Sequence, residues 1–185
     1  LFSLVWMAAV VVCHADSKKP NVVFILSDNQ SYYEMSCHGH ADLKTPHIDR
    51  LADQSVEFTN FHAPPFCSPS RAVILSGHYA MRSGVYTTIG GRSIMHRNQT
   101  TLADILKKNH YRTGIFGKWH LGFSYPYRPQ DRGFEEVFVH GGGGIGQMED
   151  FFGNSHYGPT FIHNGKPFPT TVFSTDTLFD QAMKW

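Results

Sequence analysis

The sequence predicts an α/β fold with a mostly parallel central sheet flanked by helices. Three observations predict it. Strand-like apolar runs alternate with segments of helical period. The first run, residues 21–26 (N-V-V-F-I-L), is apolar and β-branched without polar alternation, the pattern of a strand buried on both faces. Asp28, Cys67 and Lys118 each follow an expected strand, and open α/β sheets collect their ligands beyond the carboxyl ends of strands.

The elements follow in chain order. Residues 1–12 form an apolar run too short to span a bilayer. Cys13 and Ala15 then place small residues at alternate positions, with Asp16, Ser17, Lys18 and Lys19 after them. This is the h-region and cleavage site of a secretory signal, cut after Ala15, and it predicts an exported protein. The bland alternatives are a buried strand or helix, or a lipidated Cys13, which the bulky Val12 disfavours. The chain opens on Leu1 with no basic n-region, so its start is expected to be missing.

The strand at 21–26 ends at Ser27, Asp28 and Asn29. Thr45 and Pro46 have the types of an N-cap and a first helical residue, and Ile48, Leu51, Ala52 and Val56 follow on one helical face. Residues 57–62 predict a second strand, stopped by Pro64 and Pro65. Pro69 suits a first helical turn, Ala72, Val73, Ile74 and Leu75 continue it, and Gly77 stops it. Thr100 and Thr101 cap a helix through Leu102, Ile105 and Leu106, ending near Asn109. Residues 111–117 predict a strand running into Lys118, Trp119 and His120.

From Ser124 the pattern weakens, and Pro126, Pro129 and Gly133 mark loop. Residues 136–140 predict a strand. Gly141, Gly143 and Gly146 satisfy G-x-G-x-x-G, but no clear amphipathic helix follows, so a flexible or close-approach loop is the better reading than a dinucleotide site. Ser174, Thr175 and Asp176 open a last helix with Leu178, Phe179, Ala182 and Met183 at helical spacing. It stops at Trp185 in mid-pattern, so residues 20–185 are expected to be the N-terminal part of a longer catalytic domain.

The 185 residues suffice for one domain with a real core. A net charge of +1 with mixed signs gives no nucleic-acid footprint. Of 12 His, most read as surface or hydrogen-bonded residues, and one stands out below. Signal cleavage would leave Cys37 and Cys67 and no disulfide framework. Asn98, Gln99 and Thr100 form a glycosylation sequon.

The chemistry concentrates at residues 67–77, C-S-P-S-R-A-V-I-L-S-G. Cys67 stands just ahead of an expected helix, with Arg71 one turn on. Free N–H groups, the helix dipole and a guanidinium all favour an anion there. Cys67 could also be a structural thiol, half of a disulfide with Cys37, or a thiolate nucleophile. Cysteine phosphatases space Cys and Arg as C-x5-R, whereas these two are four positions apart. Asp28 and Asn29 are oxygen donors suited to a hard cation, or an ordinary turn. Lys118 suits an oxyanion, and His120 suits proton transfer near neutrality.

Together these residues resemble the sulfatase family of the alkaline phosphatase superfamily. C-S-P-S-R followed by an apolar run resembles its active-site segment, with Ser76 where Thr is usual. Residues 110–120, H-Y-R-T-G-I-F-G-K-W-H, resemble its second motif, with His110 in place of Gly. Asp28 and Asn29 resemble its metal pair, usually Asp-Asp. The resemblance implies an arylsulfatase-like sulfuric ester hydrolase of alkaline-phosphatase-like fold. A formylglycine-generating enzyme would oxidise Cys67 to formylglycine, whose aldehyde hydrate attacks sulfur. Arg71 would hold the hydrate, Lys118 would bind sulfate, and His120 would bond to the formylglycine hydroxyl and take its proton. Ca2+, or Mg2+, would sit on Asp28, Asn29 and the modified Cys67.

The expected substrate is a sulfated small molecule or glycan. No nucleic-acid partner and no stable membrane span are expected, and the fragment alone should be inactive. Two other readings stand beside this one. One is a phosphodiesterase or phosphonate monoester hydrolase of the same superfamily. The other is a non-catalytic binder of sulfated glycans.

Overall fold

A computed structural model describes residues 19–185. The expected signal segment, residues 1–15, lies outside the described residues. The chain divides into two units, Leu1–Gln30 and Ser31–Trp185.

In the first unit, residues 21–26 are solvent-exposed, Val23 at 82% and Ile25 at 70%, and they join no ladder. The expected strand is absent here. A central strand must give both of its edges to neighbours, or its N–H and C=O groups stay with water. No described strand pairs with this run. The same correction applies to residues 57–62 in the second unit, which are exposed and form no strand.

The second unit holds five α-helices and four strands among its described residues. Helix α1 (Pro46–Asp53) starts at Pro46, whose fixed φ needs no backbone donor. Thr45 caps it without bonding to the helix backbone, because its hydroxyl donates instead to the Asp49 carboxylate at 2.8 Å. The face expected to be buried is open: Leu51 is exposed, as is Val56 just beyond the helix.

Helix α2 (Cys67–Ser76) is followed by α3 (Ala80–Ser83) and α4 (Leu102–Lys108). α4 carries a full capping box: the Thr101 hydroxyl accepts the Asp104 N–H while the Asp104 carboxylate accepts the Thr101 N–H. Strands β1 (Gly114–Lys118) and β2 (Glu136–His140) pair in parallel, from Gly114 opposite Glu136 to Lys118 opposite His140. β3 (Thr160–His163) and β4 (Lys166–Pro169) add antiparallel to β2, giving the order β1-β2-β3-β4. α5 (Ser174–Lys184) packs on β1.

The fold is α/β as expected, with one parallel pair and two antiparallel pairs among the described strands. The hairpin β3–β4 was not foreseen. Asn164 (φ 48°) and Gly165 (φ 84°) turn it, and Asn-Gly is the residue pair such two-residue turns require.

The core sits between α2 and β1. Ala72, Val85, Met95, Trp119 and Leu121 are fully enclosed, with Leu75, Ile115, Phe123 and Phe134 packed against them. A second apolar layer packs Phe138 against Phe161 (tilted, 4.8 Å between ring centres) and edge-on to Phe168 (5.3 Å). Among the described residues, no helix is long and apolar enough to cross a membrane.

Candidate active site

Helix α2 begins at Cys67 itself, one residue earlier than its sequence suggests. Phe66 is the N-cap in extended conformation, and Pro64 and Pro65 deliver the chain to it. The helix ends on Gly77 (φ 67°), whose N–H bonds the Val73 carbonyl at 2.8 Å. Ser70 ties the first turn back to the Pro64 carbonyl at 2.8 Å. Ser76 donates to the Ala72 carbonyl at 2.6 Å, so its hydroxyl serves the helix end. Cys67 is thus held where the helix has free N–H groups and a positive dipole end. Cys67 and Cys37 are both free thiols, so the disulfide alternative is not realised.

The second half of the site comes from the end of β1. Trp119 is buried, and its indole N–H is shared by the Gly122 and Tyr127 carbonyls at 2.9 and 3.0 Å. That anchor fixes the backbone at Lys118 and His120. Arg71 Nη1 donates to the Lys118 carbonyl at 2.5 Å, which ties α2 to β1. His120 adopts φ 56°, a left-handed conformation that few non-glycine residues take, and is 5% exposed. Its Nδ1 lies 3.4 Å from Cys67 Sγ, and its Nε2 lies 3.2 Å from the Thr88 carbonyl. A carbonyl only accepts, so Nε2 carries the proton. In the neutral ring the Nδ1 lone pair therefore faces Cys67.

Four of the expected residues, Cys67, Arg71, Lys118 and His120, are brought together in this way. Asp28 and Asn29 belong to the first unit, where they form a bend with Asn29 at φ 58°. Their carboxylate and amide oxygens are the right kind of donor for Ca2+ or Mg2+. Two donors, however, supply only part of the roughly six to eight such an ion takes. Among the described residues no three His, Cys, Asp or Glu side chains converge as a metal cluster.

Two features were not singled out from the sequence as parts of the site. His140 ends β2 directly opposite Lys118 and is 7% exposed. Burial holds its imidazole below the usual range, and the charges of Lys118 and Arg71 push the same way. A bond with the Gly141 carbonyl and the charge of Asp150 oppose them. His140 thus stays neutral beside two cations. Its signal in the sequence was its place at the carboxyl end of an expected strand.

The second feature is the glycine loop after His140. A side chain at Gly143 would meet His120 Cε1 at 2.9 Å, and one at Gly142 would meet the Met148 carbonyl oxygen at 1.9 Å. This is a close-approach loop, one of the two readings its sequence allowed. Asp150 staples it, accepting the Gly141 N–H (3.2 Å), the Gly146 N–H (2.6 Å) and the Asn154 amide (2.9 Å).

The site thus combines a helix start that favours an oxyanion, an imidazole facing it and a lysine at the adjoining strand end. Residues 20–185 match the family model "Sulfatase". The chain belongs to the sulfatase family.

Human arylsulfatase H is 38% identical over 136 residues, covering 65% of this chain and 24% of that protein. Dog arylsulfatase G is 39% identical over 127 residues, covering 65% and 23%. The chain therefore spans about a quarter of the length of these curated relatives. Among solved structures, Ps i-CgsB in complex with k-i-k-neocarrahexaose superposes with a TM-score of 0.79 at 27% identity, over 90% of this chain and 41% of that one. BT4656, solved with its substrate D-glucosamine-2-N,6-O-disulfate, gives a TM-score of 0.75 at 30% identity, over 90% and 31%.

Proposed function

We propose that residues 20–185 form part of the catalytic domain of an exported sulfatase that hydrolyses sulfate monoesters of aryl or carbohydrate alcohols. The observation that carries this reading is the approach of Cys67 Sγ to His120 Nδ1 at 3.4 Å, at a helix start tied through Arg71 to Lys118. The saccharide ligands named for Ps i-CgsB and BT4656 favour a sulfated carbohydrate.

In this reading Cys67 is the residue converted to formylglycine by a formylglycine-generating enzyme. The hydrate supplies two hydroxyls on one carbon, one to attack sulfur and one whose deprotonation expels sulfate. His120 Nδ1, unprotonated and facing residue 67, accepts that proton. Lys118 binds the sulfate oxygens as a point charge. Arg71 positions Lys118 by fixing its carbonyl and adds positive potential at the helix start. Asp28 and Asn29 are the donors proposed for a divalent cation, Ca2+ or Mg2+.

The test is peptide mass spectrometry on the full-length protein from its own host. The peptide carrying Cys67 should be about 18 Da lighter than its thiol form, the change from thiol to aldehyde. Cys67→Ala should abolish sulfate-ester turnover at unchanged thermal stability. An unmodified thiol, with the modifying enzyme present, overturns the mechanism. Retained turnover in Cys67→Ala overturns the assigned nucleophile.

A further inference from the structure

Next to the candidate active site lies a cavity of about 690 Å3 that the proposed chemistry does not use. Its walls include Tyr86, Arg92, His96, Arg97, Asn98 and Tyr127, and no Asp or Glu lines it. Among the described residues neither Arg92 nor Arg97 forms an ion pair with a carboxylate. The charge in this cavity is thus of one sign and without a partner of the opposite sign.

The walls are built rather than incidental. Arg132, buried behind them, donates to the carbonyls of Arg97 (3.0 Å), His96 (3.2 Å) and Gln99 (2.9 Å). One guanidinium therefore fixes the backbone that carries Arg97 and Asn98. The His96 ring lies on the bare backbone of Gly84 (φ 82°), where a side-chain carbon would meet it at 2.2 Å. On the other wall the Arg92 guanidinium lies 5.2 Å from the centre of the Tyr86 ring and donates to the Tyr86 hydroxyl. Stacking of this kind holds a guanidinium in place without neutralising it.

The cavity is also coupled to the site. The Tyr86 N–H bonds the Arg92 carbonyl at 3.2 Å and closes the loop between them. That loop carries Thr88, whose carbonyl holds His120 Nε2. Beyond it, the Met95 N–H donates to the Leu121 carbonyl at 3.4 Å, one residue past His120.

We infer that the cavity between Arg92 and Arg97 is a binding site for a second anionic group, sulfate or carboxylate, on a saccharide whose scissile sulfate lies at Cys67. Two unneutralised guanidinium groups provide planar donor forks that match either oxyanion. Tyr86 and Tyr127 provide aromatic surface beside them for a sugar ring. The inference rests on the sulfatase reading of the site, and it narrows the substrate to a saccharide with more than one negative charge.

The test uses the full-length protein and turnover of 4-nitrophenyl sulfate, which carries one sulfate and no saccharide. A heparin-derived tetrasaccharide is the inhibitor, and an unsulfated uronic-acid tetrasaccharide is the second probe. In the double variant Arg92→Ala/Arg97→Ala, the inhibition constant of the sulfated tetrasaccharide should rise at least about 10-fold, the loss of one or more charge-assisted bonds. Turnover of 4-nitrophenyl sulfate should change less than about 2-fold. Arg82→Ala, an exposed arginine on α3 outside the cavity, should leave both unchanged. An equal loss in Arg82→Ala, or an unchanged inhibition constant in the double variant, overturns the inference.

The two tetrasaccharides separate sulfate from carboxylate recognition. Wild-type protein that releases sulfate from neither 4-nitrophenyl sulfate nor the sulfated tetrasaccharide refutes the sulfatase reading instead. Calorimetric binding of the same tetrasaccharides then still reports on the cavity, because the double variant should lose that binding.

Discussion

Gly143→Ala is the sharpest probe of the proposed base. The backbone there tolerates a side chain, because neither Gly143 nor Gly144 is among the positive-φ glycines. The cost therefore comes from space alone. An added Cβ would stand 2.9 Å from His120 Cε1, 3.3 Å from His120 Nε2 and 2.9 Å from Gln147 Oε1. Gln147 is exposed and can swing away. His120 is buried and held at both nitrogens, so its ring must move about 0.5 Å to restore ordinary contact.

That movement opens either the 3.4 Å approach to Cys67 or the 3.2 Å bond to Thr88. A misplacement of about 1 Å at a reacting group costs on the order of 100-fold in rate, so about 0.5 Å should cost roughly 10-fold in kcat. Gly144→Ala is the control, since its Cβ would meet only Gln147, at 3.0 Å, and should cost less than about 2-fold. The assay is steady-state hydrolysis of 4-nitrophenyl sulfate by full-length protein, with melting temperature measured in parallel. Equal losses in both variants would mean that the loop matters as a whole and not through His120. Wild-type kcat in Gly143→Ala would refute the role given to the imidazole.

Two further outcomes are expected. Asp150→Ala removes the acceptor for three donors of the same loop and should cost about 1–3 kcal/mol of stability together with a fall in kcat, read by urea unfolding and turnover. Asp150→Asn, which keeps one acceptor oxygen, should recover part of both. For His140, burial lowers the folded-state pKa, so between that value and the ordinary one of about 6.5 the unfolded chain binds a proton that the folded chain does not. Its contribution is full above pH of about 6.5 and is lost as pH falls below it. His140→Gln should therefore lose less stability between pH 7 and pH 5 than wild type, by urea midpoints. A larger loss in the variant would show that His140 is charged in the folded state.

Elements set by local chemistry were the most legible. The Thr101 capping box, the stop at Gly77 and the strand at Glu136–His140 depend on residues within a turn or within one apolar run, and all three form where their sequence places them. Residues 21–26 and 57–62 failed for the opposite reason. Their composition reports a wish to be buried, but a strand exists only when a partner edge is supplied, and no described strand supplies one. The hairpin β3–β4 was overlooked although Asn164-Gly165 announced it, because Pro167 and Pro169 make β4 read as non-strand. Both prolines sit in the last strand of the sheet, where missing N–H groups are tolerated. The site shows the same division. Cys67 and His120 are 53 residues apart, and only the motif resemblance joined them in advance. His140 has no motif and became visible only when β2 was set beside β1.

The direction of the hydrogen bonds at His120 constrains what residue 67 can be. The Thr88 carbonyl takes the Nε2 proton, so the neutral ring can only accept at Nδ1, and residue 67 must present a donor. A thiol meets that demand, and so would a hydroxyl of the proposed formylglycine hydrate. A cysteine-phosphatase type of mechanism is disfavoured by the spacing of Cys67 and Arg71, which are four positions apart. In the proposed mechanism, an Nδ1 that accepts from a hydroxyl of residue 67 is the arrangement a base needs to draw off a proton.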